Sequence, residues 1–101
     1  MIVDVWSWKI AAGKQNEVWD LFKRLSQYDN SQELVLRSYM LNPINGERER
    51  VYLVVEFESL AAMEKYWASF WQDGWPKFKD EWDPSFVVEG GSTRYQYSSI
   101  E

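Results

Sequence analysis

The sequence predicts one α+β domain over residues 1–101, an antiparallel sheet with helices on one face in the order strand–helix–strand–strand–helix–strand. Three observations predict it. Several segments alternate apolar and polar side chains with a period of two, the mark of half-buried strands. Two others repeat apolar residues at i, i+3, i+4 and i+7, the mark of helices packed by one face. A chain of 101 residues has room for one hydrophobic core and not for two.

In residues 2–10, Ile2, Asp4, Trp6, Trp8 and Ile10 share one face of a strand, while Val3, Val5, Ser7 and Lys9 share the other. Ala11-Ala12-Gly13 turns the chain into a helix over 14–28, whose buried stripe is Val18, Leu21, Phe22, Leu25 and Tyr28. Asp29-Asn30-Ser31 reads as its end. Alternation resumes over 34–41, with Leu34, Leu36, Ser38 and Met40 opposite Val35, Arg37, Tyr39 and Leu41. Asn42 to Gly46 is a turn cluster, and Asn-Gly favours the positive φ a hairpin needs. The returning strand, 50–58, is nearly continuously apolar in its middle, which predicts a central place in the sheet.

Ser59 is a good N-cap. After it Leu60, Met63, Tyr66, Trp67, Phe70 and Trp71 repeat at helical spacing until Asp73-Gly74-Trp75-Pro76 interrupts. Pro76 can start a short helical turn reaching Trp82. Residues 83–91 read as loop, with a brief extended piece at 86–88, and 93–99 as the last strand. The order βαββαβ is that of the ferredoxin-like unit. Its second sheet face is apolar too, through Val3, Val5 and Val54. That predicts a homodimer in which two copies cover this face.

Composition narrows the function. The chain carries 7 Trp, 6 Tyr and 5 Phe at a mean hydropathy of -0.51. A sheet with two helices has little interior for so many rings, so the surplus belongs to a pocket, a subunit interface, or both. A net charge of -5, with 11 basic residues scattered among 16 acidic ones, argues against nucleic acid and against an anionic membrane surface. Cysteine is absent, which removes disulfide and thiolate chemistry and suits a reducing compartment. No apolar run approaches a membrane span. Met1-Ile2-Val3-Asp4 reads as strand rather than leader, so a cytoplasmic protein is expected. Histidine is absent as well, and with it the commonest general base, zinc ligand and haem ligand.

Two stretches carry a resemblance. Trp8-Lys9-Ile10-Ala11-Ala12-Gly13-Lys14, strand into Gly-Lys into helix, resembles the opening of dimeric α/β-barrel proteins, in which two ferredoxin-like subunits close a barrel. Glu56-Phe57-Glu58-Ser59-Leu60-Ala61-Ala62-Met63-Glu64 resembles their third strand running into the second helix. Antibiotic-biosynthesis-monooxygenase-like and NIPSNAP-like domains share this pattern. The resemblance implies a small-molecule site between sheet and helices. In the monooxygenase-like branch the second helix often carries histidines at positions that fall near Tyr66 and Trp71 here. Their absence means that no histidine acid–base or haem-contacting role transfers to this chain.

The candidate site residues follow. Trp6, Trp8, Tyr66, Trp67, Trp71 and Trp75 are the expected ligand-binding walls, or else ordinary core and interface packing. Asp4 and Glu56 sit within apolar strands and are the expected acid–base groups, because a buried carboxylate must find a partner or shift its pKa upward. Arg37 is the expected anion holder, and Arg37 and Arg94 are also the partners these carboxylates would take in a structural salt bridge. Asp80, Glu81 and Asp83 around Trp82 match no metal loop, and Gly90-Gly91 lacks the lysine and helix of a phosphate loop. No metal and no cofactor is assigned. The expected function is a small-molecule pocket of the dimeric α/β-barrel type. One form is a cofactor-independent, monooxygenase-like enzyme on an aromatic or hydrophobic substrate. The alternative is a non-catalytic NIPSNAP-like binding module or a structural dimer.

Overall fold

A computed structural model of the chain describes residues 1–46 and 49–100. Strand β1 (Ile2–Lys9) leads into helix α1 (Gln15–Asn30), then β2 (Arg37–Leu41), β3 (Arg50–Phe57), helix α2 (Leu60–Ser69) and β4 (Thr93–Ser98). The sheet order is β2-β3-β1-β4, every pair antiparallel, so β3 and β1 are central as the apolar run of β3 predicted. This is the ferredoxin-like α+β fold.

Register decides what faces the helices. Asp4 lies opposite Val55, Trp6 opposite Leu53 and Trp8 opposite Val51. That puts Asp4, Trp6 and Trp8 on the face that carries the core of Val51, Leu53, Val55 and Phe57. Arg94 pairs with Trp6 across β1 and β4 and joins the same face. The opposite face holds Val3, Val5, Tyr39, Val54 and Glu56, with Tyr95 and Tyr97 on the edge strand more than half exposed.

Helix α1 runs two residues beyond its expected end. The reason is tertiary. The Asn30 side chain donates to the Ser38 carbonyl at 2.8 Å and accepts from the Ser38 amide at 2.7 Å, standing in for a neighbouring strand along β2. The helix closes at Ser31, whose hydroxyl donates to the Tyr28 carbonyl at 2.6 Å. β2 starts only at Arg37, later than the alternation from 34 predicted, because Gln32 to Val35 forms a turn closed by a Val35 amide to Gln32 carbonyl bond of 3.2 Å. Ser59 caps α2 as expected, its hydroxyl accepting from the Ala62 amide at 3.1 Å.

Where the sequence predicted an interruption at Asp73, the chain widens into a π-helical turn, Phe70–Gly74. Its wider spacing brings Phe70 and Trp75, five residues apart, to the same side, and the Trp75 amide donates to the Phe70 carbonyl. The single turn expected from Pro76 to Trp82 is two short 3₁₀ turns, Trp75–Lys77 and Lys79–Glu81. A Cβ on buried Gly74 would stand 2.7 Å from a Phe70 ring carbon and 2.8 Å from one of Tyr28. Gly74→Ala is therefore expected to destabilise the domain by about 1–3 kcal/mol through overpacking, read as a lower urea midpoint at unchanged m-value.

Candidate functional site

Between the sheet and the helices lies a cavity of about 260 Å³. β1 supplies Trp6 and Trp8, α1 supplies Phe22, Leu25 and Asp29, β3 supplies Leu53, and Trp67, Phe70, Trp71, Trp75 and Trp82 come from α2 and the turns that follow. Six of the seven tryptophans therefore line it, all but Trp19. Their rings brace one another. Trp6 stacks on Trp8 at 5.9 Å and meets Trp67 edge-on at 5.5 Å, Trp8 meets Phe22 at 4.7 Å, and Trp71 meets Trp75 at 6.1 Å. Half-exposed Trp71 forms the rim.

Trp82 also lines it, stacked on Phe22 at 6.1 Å. The acidic run around it serves structure. Arg24 of α1 forks onto both carboxylate oxygens of Glu81, at 2.8 and 2.7 Å, and that hydrogen bonding holds the Glu81 carboxyl below its ordinary pKa. Asp83 accepts from the Ser85 amide at 2.9 Å. Among the described residues no cluster of metal-ligating side chains occurs.

The expected catalytic groups are distributed differently from the reading of the sequence. Asp4 is fully buried, but both of its oxygens are engaged. Arg94 donates to them at 3.1 and 2.7 Å, and the Trp67 indole N–H donates at 2.9 Å. Asp4 thus orients a wall tryptophan and is absent from the cavity lining. Glu56 and Arg37 lie on the opposite face of the sheet, where they pair with each other at 3.3 Å and Tyr39 donates to Glu56 at 3.2 Å. A strand's period of two separates them from the cavity, so neither reaches a molecule bound there. Trp6, Trp8, Trp67, Trp71 and Trp75 do line it. Tyr66 does not; its ring packs on Phe57 and its hydroxyl donates to Asp29.

Among the described residues, Asp29 is the one ionisable side chain lining the cavity. It lies on the α1 stripe with Phe22 and Leu25 and is 1% exposed. One carboxylate oxygen accepts from Tyr66 and the other from Ser38 at 3.2 Å, while Ser26 donates to Ser38 at 3.1 Å. Burial raises the Asp29 pKa from 3.8 to about 6, against the lowering effect of the Tyr66 and Ser38 hydrogen bonds. The Tyr66 hydroxyl is pushed up in turn, by burial first and then by the charge of Asp29. In the sequence, Asp29 reads as a helix-ending residue. Its position seven residues after Phe22, on the buried stripe, was the available signal.

No protein-family model matches the chain, and no curated protein matches its sequence. Solved structures match its fold. A NIPSNAP domain protein from Burkholderia xenovorans superposes with a TM-score of 0.78 at 15% identity, over 99% of this chain and 95% of that one. A candidate antibiotic biosynthesis monooxygenase from Deinococcus radiodurans gives 0.77 at 13% identity, over 100% and 94%. A second such protein, from Nitrosomonas europaea, gives 0.77 at 10% identity over the whole of both chains. The chain thus has the ferredoxin-like fold shared by monooxygenase-like and NIPSNAP-like domains.

Proposed function

We propose that this chain is a small-molecule pocket protein whose cavity takes an aromatic or hydrophobic substrate, with Asp29 as its acid–base group. The observation that carries the reading is one buried carboxyl with a pKa near neutrality, set in a wall otherwise made of indole, phenyl and leucine side chains. A general base works best when its pKa lies near the operating pH. In the monooxygenase-like form, Asp29 accepts an acidic proton from the substrate. The resulting anion supplies electrons to dioxygen, a C–H carbon becomes a carbonyl, and the second oxygen atom leaves as water. The rings keep bulk water from the reacting anion.

Tryptophan emission tests the pocket directly, since the lining is the fluorophore. Titration with 2-naphthol is expected to quench it saturably, and Trp71→Ala at the rim to weaken that binding. An unsaturable, linear response would end the pocket reading. Oxygen consumption then tests catalysis: Asp29→Asn is expected to lower turnover about 10²–10⁴-fold while the quenching persists. A non-catalytic binding module is the second reading, favoured by one feature: among the described residues no arginine or lysine lines the cavity to hold a product anion. Quenching without oxygen uptake selects it.

A homodimer completes the proposal. Tyr95, Tyr97 and Leu41 leave about half of their surface exposed on the face away from the helices, and a second copy would cover them. Sedimentation equilibrium is expected to give twice the chain mass, and Tyr95→Glu to shift it to the single chain by burying a charge in the contact.

A further inference from the structure

The two fully enclosed carboxylates among the described residues, Asp4 and Asp29, differ in one respect. Asp4 has its cation, Arg94, at 2.7 Å. Asp29 has only hydroxyl partners, Tyr66 and Ser38, and makes no ion pair among the described residues. A buried anion without a counter-charge is costly, and a group that brings the counter-charge is bound by what it relieves. Two further features favour a positive charge at this end of the cavity. Asp29 lies in the last turn of the 16-residue helix α1, where the macrodipole is negative, and that turn holds no basic residue. The surrounding wall is aromatic, and ring faces attract cations, tryptophan most strongly. Arg94, which lies over the Trp6 ring at 4.2 Å, is already committed to Asp4.

We propose that the cavity selects an organic cation: an aromatic molecule bearing a protonated or quaternary nitrogen, its nitrogen at Asp29 and its ring toward Phe22 and Trp82. Seven residues of helix separate Asp29 from Phe22, about 10 Å along the axis. That length and the volume of about 260 Å³ suit a one- or two-ring body with its charge at one end. The inference rests on the cavity being a ligand site, as proposed above, and not on any reaction there.

The test compares phenyltrimethylammonium with tert-butylbenzene, a pair of nearly equal shape that differs in charge, by tryptophan quenching at fixed ionic strength. The wild-type chain is expected to bind the cation about tenfold more tightly. Asp29→Asn is expected to bring the two within about twofold, while Ser38→Ala, which keeps the carboxylate, retains the preference. Circular dichroism establishes that each variant is folded, and the wild-type comparison stands without them. Equal binding, or preference for the neutral compound, overturns the inference and leaves the pocket intact. A preference that survives in Asp29→Asn also overturns it, since the aromatic wall or the overall charge of -5 would then be its source. Failure of both compounds and of 2-naphthol to quench removes the pocket and the inference together.

Discussion

Arg94→Ala is expected to cost about 3 kcal/mol of folding stability, the low end of the range for breaking a buried ion pair from one side. The variant strands the Asp4 carboxylate, 0% exposed, with the Trp67 indole as its one remaining donor among the described residues. The Arg94 side chain is 36% exposed, so its removal admits some water, which is why the low end applies. For a domain of this size that is a large share of the total. Arg94→Lys keeps the charge but loses the fork and should cost less. Asp4→Asn in the Arg94→Ala background removes the stranded charge and should recover part of the loss. Urea unfolding of wild type, Arg94→Ala, Asp4→Asn and the double variant completes a double-mutant cycle. Additive losses would mean that the pair is no more than a surface contact.

The second large effect is the dependence of stability on pH that Asp29 imposes. Its folded-state pKa of about 6 lies above its unfolded value of 3.8, so the native state binds the proton more tightly. The sign follows: this contribution is fully present below about pH 4 and is lost as pH rises through about 6. The difference corresponds to about 3 kcal/mol. Asp29→Asn cannot titrate. The stability of wild type relative to Asp29→Asn is therefore expected to fall by about 2–3 kcal/mol between about pH 4 and about pH 7.5. Taking the difference cancels the other carboxylates that titrate in the same window. Tyr66→Phe removes a hydrogen bond that lowers the Asp29 pKa, and is expected to move the window upward. Parallel pH profiles for wild type and Asp29→Asn would mean that the carboxyl is not enclosed.

Much of this architecture is legible locally. The alternation of Ile2, Asp4, Trp6 and Trp8 places those four side chains on one face of β1, and the helical spacing of Val18, Leu21, Phe22 and Leu25 identifies the inner stripe of α1. Such periodicities arise within one element, so they can be read without knowing what the element touches. Five of the six residues named as cavity walls do line the cavity for this reason, and Tyr66 stands one layer behind them. That Arg37 and Arg94 could pair with these strand carboxylates was open to the sequence as chemistry; which arginine takes which carboxylate was not.

The assignment of the site's carboxyl group was not legible in that way. Alternation assigns Asp4 and Glu56 each to one face of its own strand; only the register of β1 against β3 puts those faces on opposite sides, and alternation does not say which face the helices cover. Nor does it say that Arg94 and the Trp67 indole, 90 and 63 residues away in sequence, close over Asp4. Asp29 looked like the residue that stops a helix, because Asp-Asn-Ser is ordinary helix-end chemistry. Only the docking of Asn30 onto the backbone of Ser38 carries α1 far enough to bury it, and only α2 brings Tyr66 to its oxygen. Sequence by itself determined the elements, their order and the aromatic wall, since those depend on short-range periodicity. Tertiary structure alone decided which acid stands at the cavity without a cation, since that depends on partners brought together from three separate elements.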